Sequence, residues 1–195
     1  MTATAQDEFL FLPLGGAGEI GMNLNLYGFG PPGRESWVMV DLGVMFGDGS
    51  APAVDVVMPD PQFIAERKES LLGLVLTHAH EDHLGAVPYL WDRLKCPVYA
   101  TPFATSILKR KLAETPFGDE VEIVEVPLGS RFRIGPFDME MITLTHSIPE
   151  PNAIAIRTAL GTVLHTGDWK FDPAPVIGAV SDEDALRRLG DEGVL

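Results

Sequence analysis

The sequence predicts a layered α/β protein rich in strands, on three observations. Short apolar runs recur along the chain, separated by Gly and Pro. Several alternate with the period of two expected of half-buried strands. A few longer stretches place apolar residues at helical spacing. In order, residues 9–14 read as a strand that Gly15-Gly16-Ala17-Gly18 turns. Residues 23–29 alternate as a second strand, Pro31-Pro32-Gly33 breaks it, and residues 37–41 form a third. The Pro-rich stretch 51–61 is loop and residues 63–68 a short helix. Residues 72–77 are a continuous apolar run, as in a strand buried on both faces. Residues 84–94 read as helix, with Pro88 tolerated in the first turns. A short strand at 98–100 precedes an amphipathic helix at 103–113, whose Lys109-Arg110-Lys111 end suits the helix dipole. Strands follow at 121–126, 131–134, 139–145, 153–158 and 162–166. A last helix spans 182–190, with Ser181 as its expected N-cap and acidic residues in its first turn.

Composition narrows the function. With 195 residues, 46% hydrophobic and 22% charged, the chain has the make-up of a globular protein and the size of one domain, or of one domain plus a fragment. The excess of 28 Asp and Glu over 14 Lys and Arg excludes a generally basic, nucleic-acid-coating surface and suits cation binding. The single cysteine, Cys96, excludes a disulfide framework and a multi-cysteine zinc site, and it fits a reducing cytoplasm. No run of 18 apolar residues predicts a membrane span, and the N-terminus lacks the basic segment of a signal peptide.

The chemistry concentrates in Thr77-His78-Ala79-His80-Glu81-Asp82-His83, which follows the buried strand and opens a helix. Strand-end loops of this kind are where α/β proteins place their sites. A spacing of two sends His78 and His80 to one side of an extended loop, while Asp82 and His83 fall on the first helical turn. Imidazole and carboxylate without thiolate suit zinc, with manganese or magnesium as alternatives. His146, Asp168 and Asp41 also fall at the ends of expected strands. Glu81, between the ligands, is expected to point outward. Ser147 and Glu150 either shape the His146 loop or touch substrate.

Gly16-Ala17-Gly18-Glu19-Ile20-Gly21 matches GxGxxG after a strand, and Asp41 stands 20 residues beyond it, as in a dinucleotide-binding unit. That motif must open a helix, however, whereas residues 22–30 alternate as a strand and leave no room for a crossover. The glycines are instead expected to make a turn beside the metal site. Cys96 reads as a buried apolar residue, and Tyr89 and Trp91 as packing residues.

The successive motifs, HAHEDH with Asp41, His146 and Asp168, resemble those of the metallo-β-lactamase superfamily. PLGGAGEIGMN, DLGVMF, LTHAHEDHLGAVPYL, PVYAT, THSIPE, HTGDWKFDPAPV and LGDEGVL resemble, in order, the N-terminal part of the ribonuclease J family of β-CASP nucleases. The resemblance implies an αββα sandwich of mixed sheets flanked by helices. Residues 1–195 would be its N-terminal portion, with the β-CASP domain and the rest of the fold outside this chain. It implies that His78, His80 and His146 bind one divalent ion, Asp82 and His83 a second, and that Asp168 bridges them. Asp82, His83 and Asp168 would thereby serve catalysis, and Asp41 would orient the HxHxDH loop from outside the ligand set. A last histidine ligand and the phosphate-binding residues of the family find no match here. The implied activity is metal-dependent hydrolysis of RNA, 5′-to-3′ from 5′-monophosphate ends and also internally, by a cytoplasmic homo-oligomer. Lys170 is the local candidate for a phosphate contact, with a solvated lysine as the alternative. The competing readings are a thioesterase like glyoxalase II, a lactonase, or a metal-binding fragment without activity.

Overall fold

The structure, a computed structural model, describes residues 6–47 and 53–195. Residues 1–5 of the N-terminus and residues 51 and 52 of the expected loop lie outside the described residues. The strands are β1 (Glu8–Gly15), β2 (Leu24–Gly30), β3 (Ser36–Val40), β4 (Met45–Phe46), β5 (Val56–Val57), β6 (Leu71–Val75), β7 (Val98–Ala100), β8 (Ile123–Glu125), β9 (Arg131–Ile134), β10 (Phe137–Thr143), β11 (Asn152–Thr158) and β12 (Gly161–His165). The helices are α1 (Gln62–Ala65), α2 (Glu81–Leu84), α3 (Val87–Leu94), α4 (Pro102–Leu112) and α5 (Glu183–Glu192).

Among the described residues, six strands form a mixed sheet in the order β1-β2-β3-β6-β7-β8, and four form an antiparallel sheet in the order β12-β11-β10-β9. Period-two alternation assigns each strand residue to a layer. In β2 and β3, Leu24, Leu26, Trp37 and Met39 pack with Leu84, Trp91 and Leu108 of the helices. Tyr27, Phe29, Val38 and Val40 face Phe137, Met139, Met141, Ile154 and Ile156 of the second sheet. The other face of that sheet, Ile142, Leu144, Ala153 and Ala155, is covered by Ala185 and Leu189 of α5. The result is helix, sheet, sheet, helix, each layer burying the apolar face of the next at about 1.5–3 kcal/mol per large side chain. Gly28 makes room within this packing: a Cβ there would stand 2.7 Å from the Trp37 ring.

Several boundaries differ from expectation for local reasons. The helix expected over residues 84–94 is two helices, separated at Gly85-Ala86. The short helix expected at 63–68 is one turn, α1, followed by a 3₁₀ turn at Lys68–Ser70. The two-residue pair β4–β5 carries too little pattern to be read. Ser181 is not the cap of α5. Asp182 accepts a hydrogen bond from the Ala185 N–H at 2.9 Å, as an N-cap does. The Ser181 hydroxyl instead accepts from the Thr145 N–H at 3.0 Å. Residues 16–21 form bends that lead into β2, not a helix, so the GxGxxG stretch does not open a βαβ unit.

Candidate metal centre

The site gathers at the C-terminal ends of β3, β6, β10 and β12, where the chain leaves both sheets on the same side. Asp41 follows β3 directly in a left-handed conformation (φ +63°), which aspartate tolerates better than most residues. Its fully buried carboxylate organises the loop after β6. Oδ1 accepts the Thr77 N–H at 2.8 Å, and Oδ2 accepts the Thr77 hydroxyl at 2.8 Å and His83 Nδ1–H at 2.7 Å. The Thr77 hydroxyl, having given its hydrogen to Asp41, accepts from His78 Nδ1–H at 2.9 Å. These partners assign the tautomers: both rings carry hydrogen on Nδ1 and turn Nε2 toward the site.

A second strand of contacts holds α2. Leu42 N–H donates to the His83 carbonyl at 2.7 Å, Val44 N–H to Glu81 at 2.9 Å, and Asn23 N–H to Asp82 at 3.1 Å. Gly43 is required by this approach, since a Cβ there would lie 1.7 Å from the Asp82 carbonyl oxygen. Asn23 Nδ2 donates to the same carbonyl at 2.9 Å and lies 3.3 Å from His83 Nε2.

Two groups of candidate ligand atoms converge. In each, every ligand atom lies within 4.8 Å of the others: His78, His80 and His146 in one, His78, His83 and Asp168 in the second. His78 therefore faces both. Asp82 stands beside the second group, its Oδ2 3.5 Å from His83 Nε2, the same distance as Asp168 Oδ1. Asp168 Oδ2 reaches toward the first group, 3.7 Å from His146 Nε2. All six candidate ligands are thus brought together, with Asp41 buried behind them. His146 and Asp168 sit three residues beyond β10 and β12, in loops rather than on the strand ends.

The donor set fits a divalent ion. His78 Nε2 and His80 Nδ1 are 3.1 Å apart, close to the roughly 3.3 Å edge between two nitrogens of a tetrahedral zinc site. Burial and the neighbouring charge of His83 push His78 down to about 3, so its lone pair is free at neutral pH. Burial and His80 likewise lower His146. His83 is the opposite case. Burial works against its charge, but the Asp41 carboxylate and the hydrogen bonds to Asp168, Asp41 and Asp82 hold it up at about 12. Hydrogen bonding from His83 holds Asp168 down at about 2 and lowers Asp82.

The neighbouring candidates resolve individually. Glu81 points away from the ligands and pairs with Lys111 Nζ at 2.6 Å. Glu150 Oε2 accepts the Phe103 N–H at 2.8 Å, so it ties the His146 loop to the start of α4, while Ser147 is exposed. Lys170 Nζ pairs with Asp172 at 3.5 Å and lines a cleft of about 250 Å³ with His146. Cys96 is buried, with burial pushing its thiol up to about 12. Trp91 is buried against Phe117, but Tyr89, expected to pack, is 63% exposed. Thr77 heads the HxHxDH run without an expected role of its own, and Asn23, Tyr27 and His165 draw no expected role from the sequence. Thr77 and Asn23 carried a signal, since one precedes the HxHxDH run and the other closes the glycine loop.

Comparison with known proteins accords with this geometry. A family model described as the metallo-beta-lactamase superfamily matches residues 28–189. The chain is 53% identical over 192 residues to Ribonuclease J of Sinorhizobium meliloti, covering 98% of this chain and 34% of that protein. It is 35% identical over 199 residues to Ribonuclease J of Thermus thermophilus, again covering 34% of the relative. The chain therefore spans about a third of the length of these curated relatives. The metallo-beta-lactamase fold protein YhfI of Bacillus subtilis shares the fold with a TM-score of 0.59 at 17% identity, over 84% of this chain and 64% of that one.

Proposed function

The chain belongs to the metallo-β-lactamase superfamily, and on that premise we propose that it forms the metal-binding part of a ribonuclease that hydrolyses RNA phosphodiesters. The observation that carries the reading is that two candidate ligand groups lie side by side and share His78, in a chain 53% identical to a protein named Ribonuclease J. His78, His80 and His146 would hold one divalent ion, and His83 and Asp82 a second, with Asp168 between them. Zinc suits the nitrogen and oxygen donors best, with manganese or magnesium as alternatives. Ions bound there supply Lewis acidity, which acidifies water and offsets negative charge on phosphoryl oxygens.

The chain's own residues prepare that chemistry. Asp41 and Thr77 fix His78 and His83 in the tautomer that presents Nε2. The Asp168 carboxylate, 46% exposed, stands where both groups and a substrate can reach it. Lys170, beside His146 in the adjoining cleft, offers a cation to phosphate. Bound cations cancel the local negative charge, which reconciles an acidic chain with a polyanionic substrate. The finer reading includes 5′-to-3′ exonuclease action preferring a 5′-monophosphate end, endonuclease action, a cytoplasmic location and homo-oligomeric assembly. It extends the motif resemblance to the whole protein.

Incubating the intact protein with 5′-monophosphorylated and 5′-hydroxyl RNA, with and without chelator, tests this. The expected result is chelator-sensitive cleavage, faster on the monophosphate. Turnover of a thioester or lactone with no RNA cleavage would contradict it.

A further inference from the structure

The candidate centre straddles a seam. Asp41, His78, His80, Asp82 and His83 hang from the six-stranded sheet, whereas His146 and Asp168 hang from the four-stranded one. The apolar layer between the sheets sets their spacing, but apolar contacts are non-directional and do not fix lateral register. Directional contacts cross the seam beside the site. Tyr27 of β2 meets His165 of β12, hydroxyl to Nδ1 at 2.9 Å, with the rings edge to face at 6.0 Å. Asn152 at the start of β11 gives its N–H and its Nδ2 to the Thr77 carbonyl at 3.2 and 3.3 Å.

The side chains at the two crossings hold different arms. His165 is the last residue of β12, three positions before Asp168. The intervening Gly167, at φ +55°, packs against the Asn152 carbonyl and Thr77, where a Cβ would meet the carbonyl oxygen at 3.0 Å and Thr77 Cβ at 3.4 Å. Asn152 instead closes the loop that carries His146, and its Nδ2 also bonds the Glu150 carbonyl at 2.8 Å. Tyr27 lies 138 residues from His165 and touches none of the candidate ligands by hydrogen bond. Its hydroxyl would otherwise be a polar group in an apolar layer, costly unless paired.

We infer that the Tyr27–His165 pair is a positioning clasp: it sets the Asp168 arm against His83, while Asn152–Thr77 does the same for the His146 arm. The inference rests on the metal-binding half of the function proposed above and not on the RNA half, so metal uptake tests it directly. Removing the Tyr27 hydroxyl leaves the candidate ligands in place but lets the Asp168 arm shift. Residues that hydrogen-bond a metal ligand directly alter metal affinity by roughly 10- to 100-fold, so this contact, one step further out, should act at the low end of that range.

The test is cobalt titration of the intact protein, followed by visible absorption, for wild type, Tyr27→Phe, His165→Asn and Asn152→Ala. Tyr27→Phe should weaken the cobalt held with Asp168 and His83 about tenfold and alter its absorption band. The cobalt at His78, His80 and His146 should weaken clearly less, because its three imidazoles keep their own supporting contacts and only its share of Asp168 is disturbed. His165→Asn, which keeps a polar group near the Nδ1 position, should retain most of the affinity. Asn152→Ala should show the reverse preference. Normal uptake by wild type, with Tyr27→Phe unchanged or weakened equally at both groups, would overturn the clasp. A wild-type protein that takes up no metal would overturn the functional reading itself.

Discussion

The three imidazoles of His78, His80 and His146 and the carboxylate-rich group of His83, Asp82 and Asp168 lie side by side, yet they meet a cation from opposite electrostatic states. In the first, burial and the charge of His83 lower His78, and burial and His80 lower His146. The His78 nitrogen is neutral at pH 7 and ready to bind an ion. In the second, Asp41, Asp82 and Asp168 surround His83 and hold a proton on it up to about 12. That group must give up a proton before His83 Nε2 can bind a metal. The same fold thus builds one site by removing charge and its neighbour by balancing it.

Among the described residues, Asp168 is the one carboxylate within 4 Å of a histidine in each group, so its loss should have the largest effect. Asp168→Ala in the intact protein should lower RNA cleavage by roughly 10³-fold or more, as expected when a main electrostatic element of a site is removed. Elemental analysis should show metal lost from both groups. Activity near wild type would break the comparison by showing that the groups work independently.

Asp41→Asn should act more selectively. The amide can still accept from the Thr77 N–H, but its own N–H would face His83 Nδ1. That favours the other tautomer and turns a hydrogen toward the site. Metal affinity at the His83 group should fall about 10- to 100-fold. The three-imidazole group, linked to Asp41 through Thr77, should change less. Equal losses at both groups would place Asp41 in general stability rather than in ligand orientation.

The smallest expected effect is at Glu81, which sits between ligands in sequence but pairs with Lys111 on the outer side, its side chain 42% exposed. Glu81→Gln should leave metal content unchanged and shift stability by less than about 1 kcal/mol, as exposed pairs do. A change in metal uptake would mean that the second group extends further along α2 than the geometry shows.

The difference between the groups also marks what the sequence could reveal. The candidate ligands were legible because they follow strands marked either by alternation or, at residues 72–77, by a continuous apolar run, and because His78 and His80 lie two residues apart on one loop. The layers were legible in β2 and β3 for the same reason. Two contacts that make the site work were not. The Asp41–Thr77 bond joins residues 36 apart and the Tyr27–His165 bond residues 138 apart, and neither leaves a local pattern. The break between α2 and α3 was missed because Gly85-Ala86 is tolerable within a helix. It is fixed instead by the DLG segment, where Leu42 accepts from the Ala86 N–H at 3.0 Å. Ser181 was a reasonable cap until Thr145 claimed its hydroxyl.

The pH dependence follows from the same contrast. His78 has a folded value of about 3, against about 6.5 unfolded. Below about pH 6.5 the unfolded chain therefore takes up a proton that the folded one refuses, and the metal-free protein loses stability as pH falls through that window. For His83 the sign reverses. Its raised folded value contributes stability that is fully present below about pH 6.5 and is lost only as pH rises toward about 12. At neutral pH the metal-free site therefore keeps the His83 proton.

The most direct test of the two-state contrast is stepwise zinc titration of the metal-free protein at pH 7 by calorimetry, in buffers of different ionisation enthalpy. The tighter ion, at His78, His80 and His146, should release less than the one proton expected of the second, because His78 is already neutral. The weaker ion, at His83 and Asp168, should release about one proton and bind more tightly as pH rises. Two ions of equal affinity, or equal proton release in both steps, would contradict it.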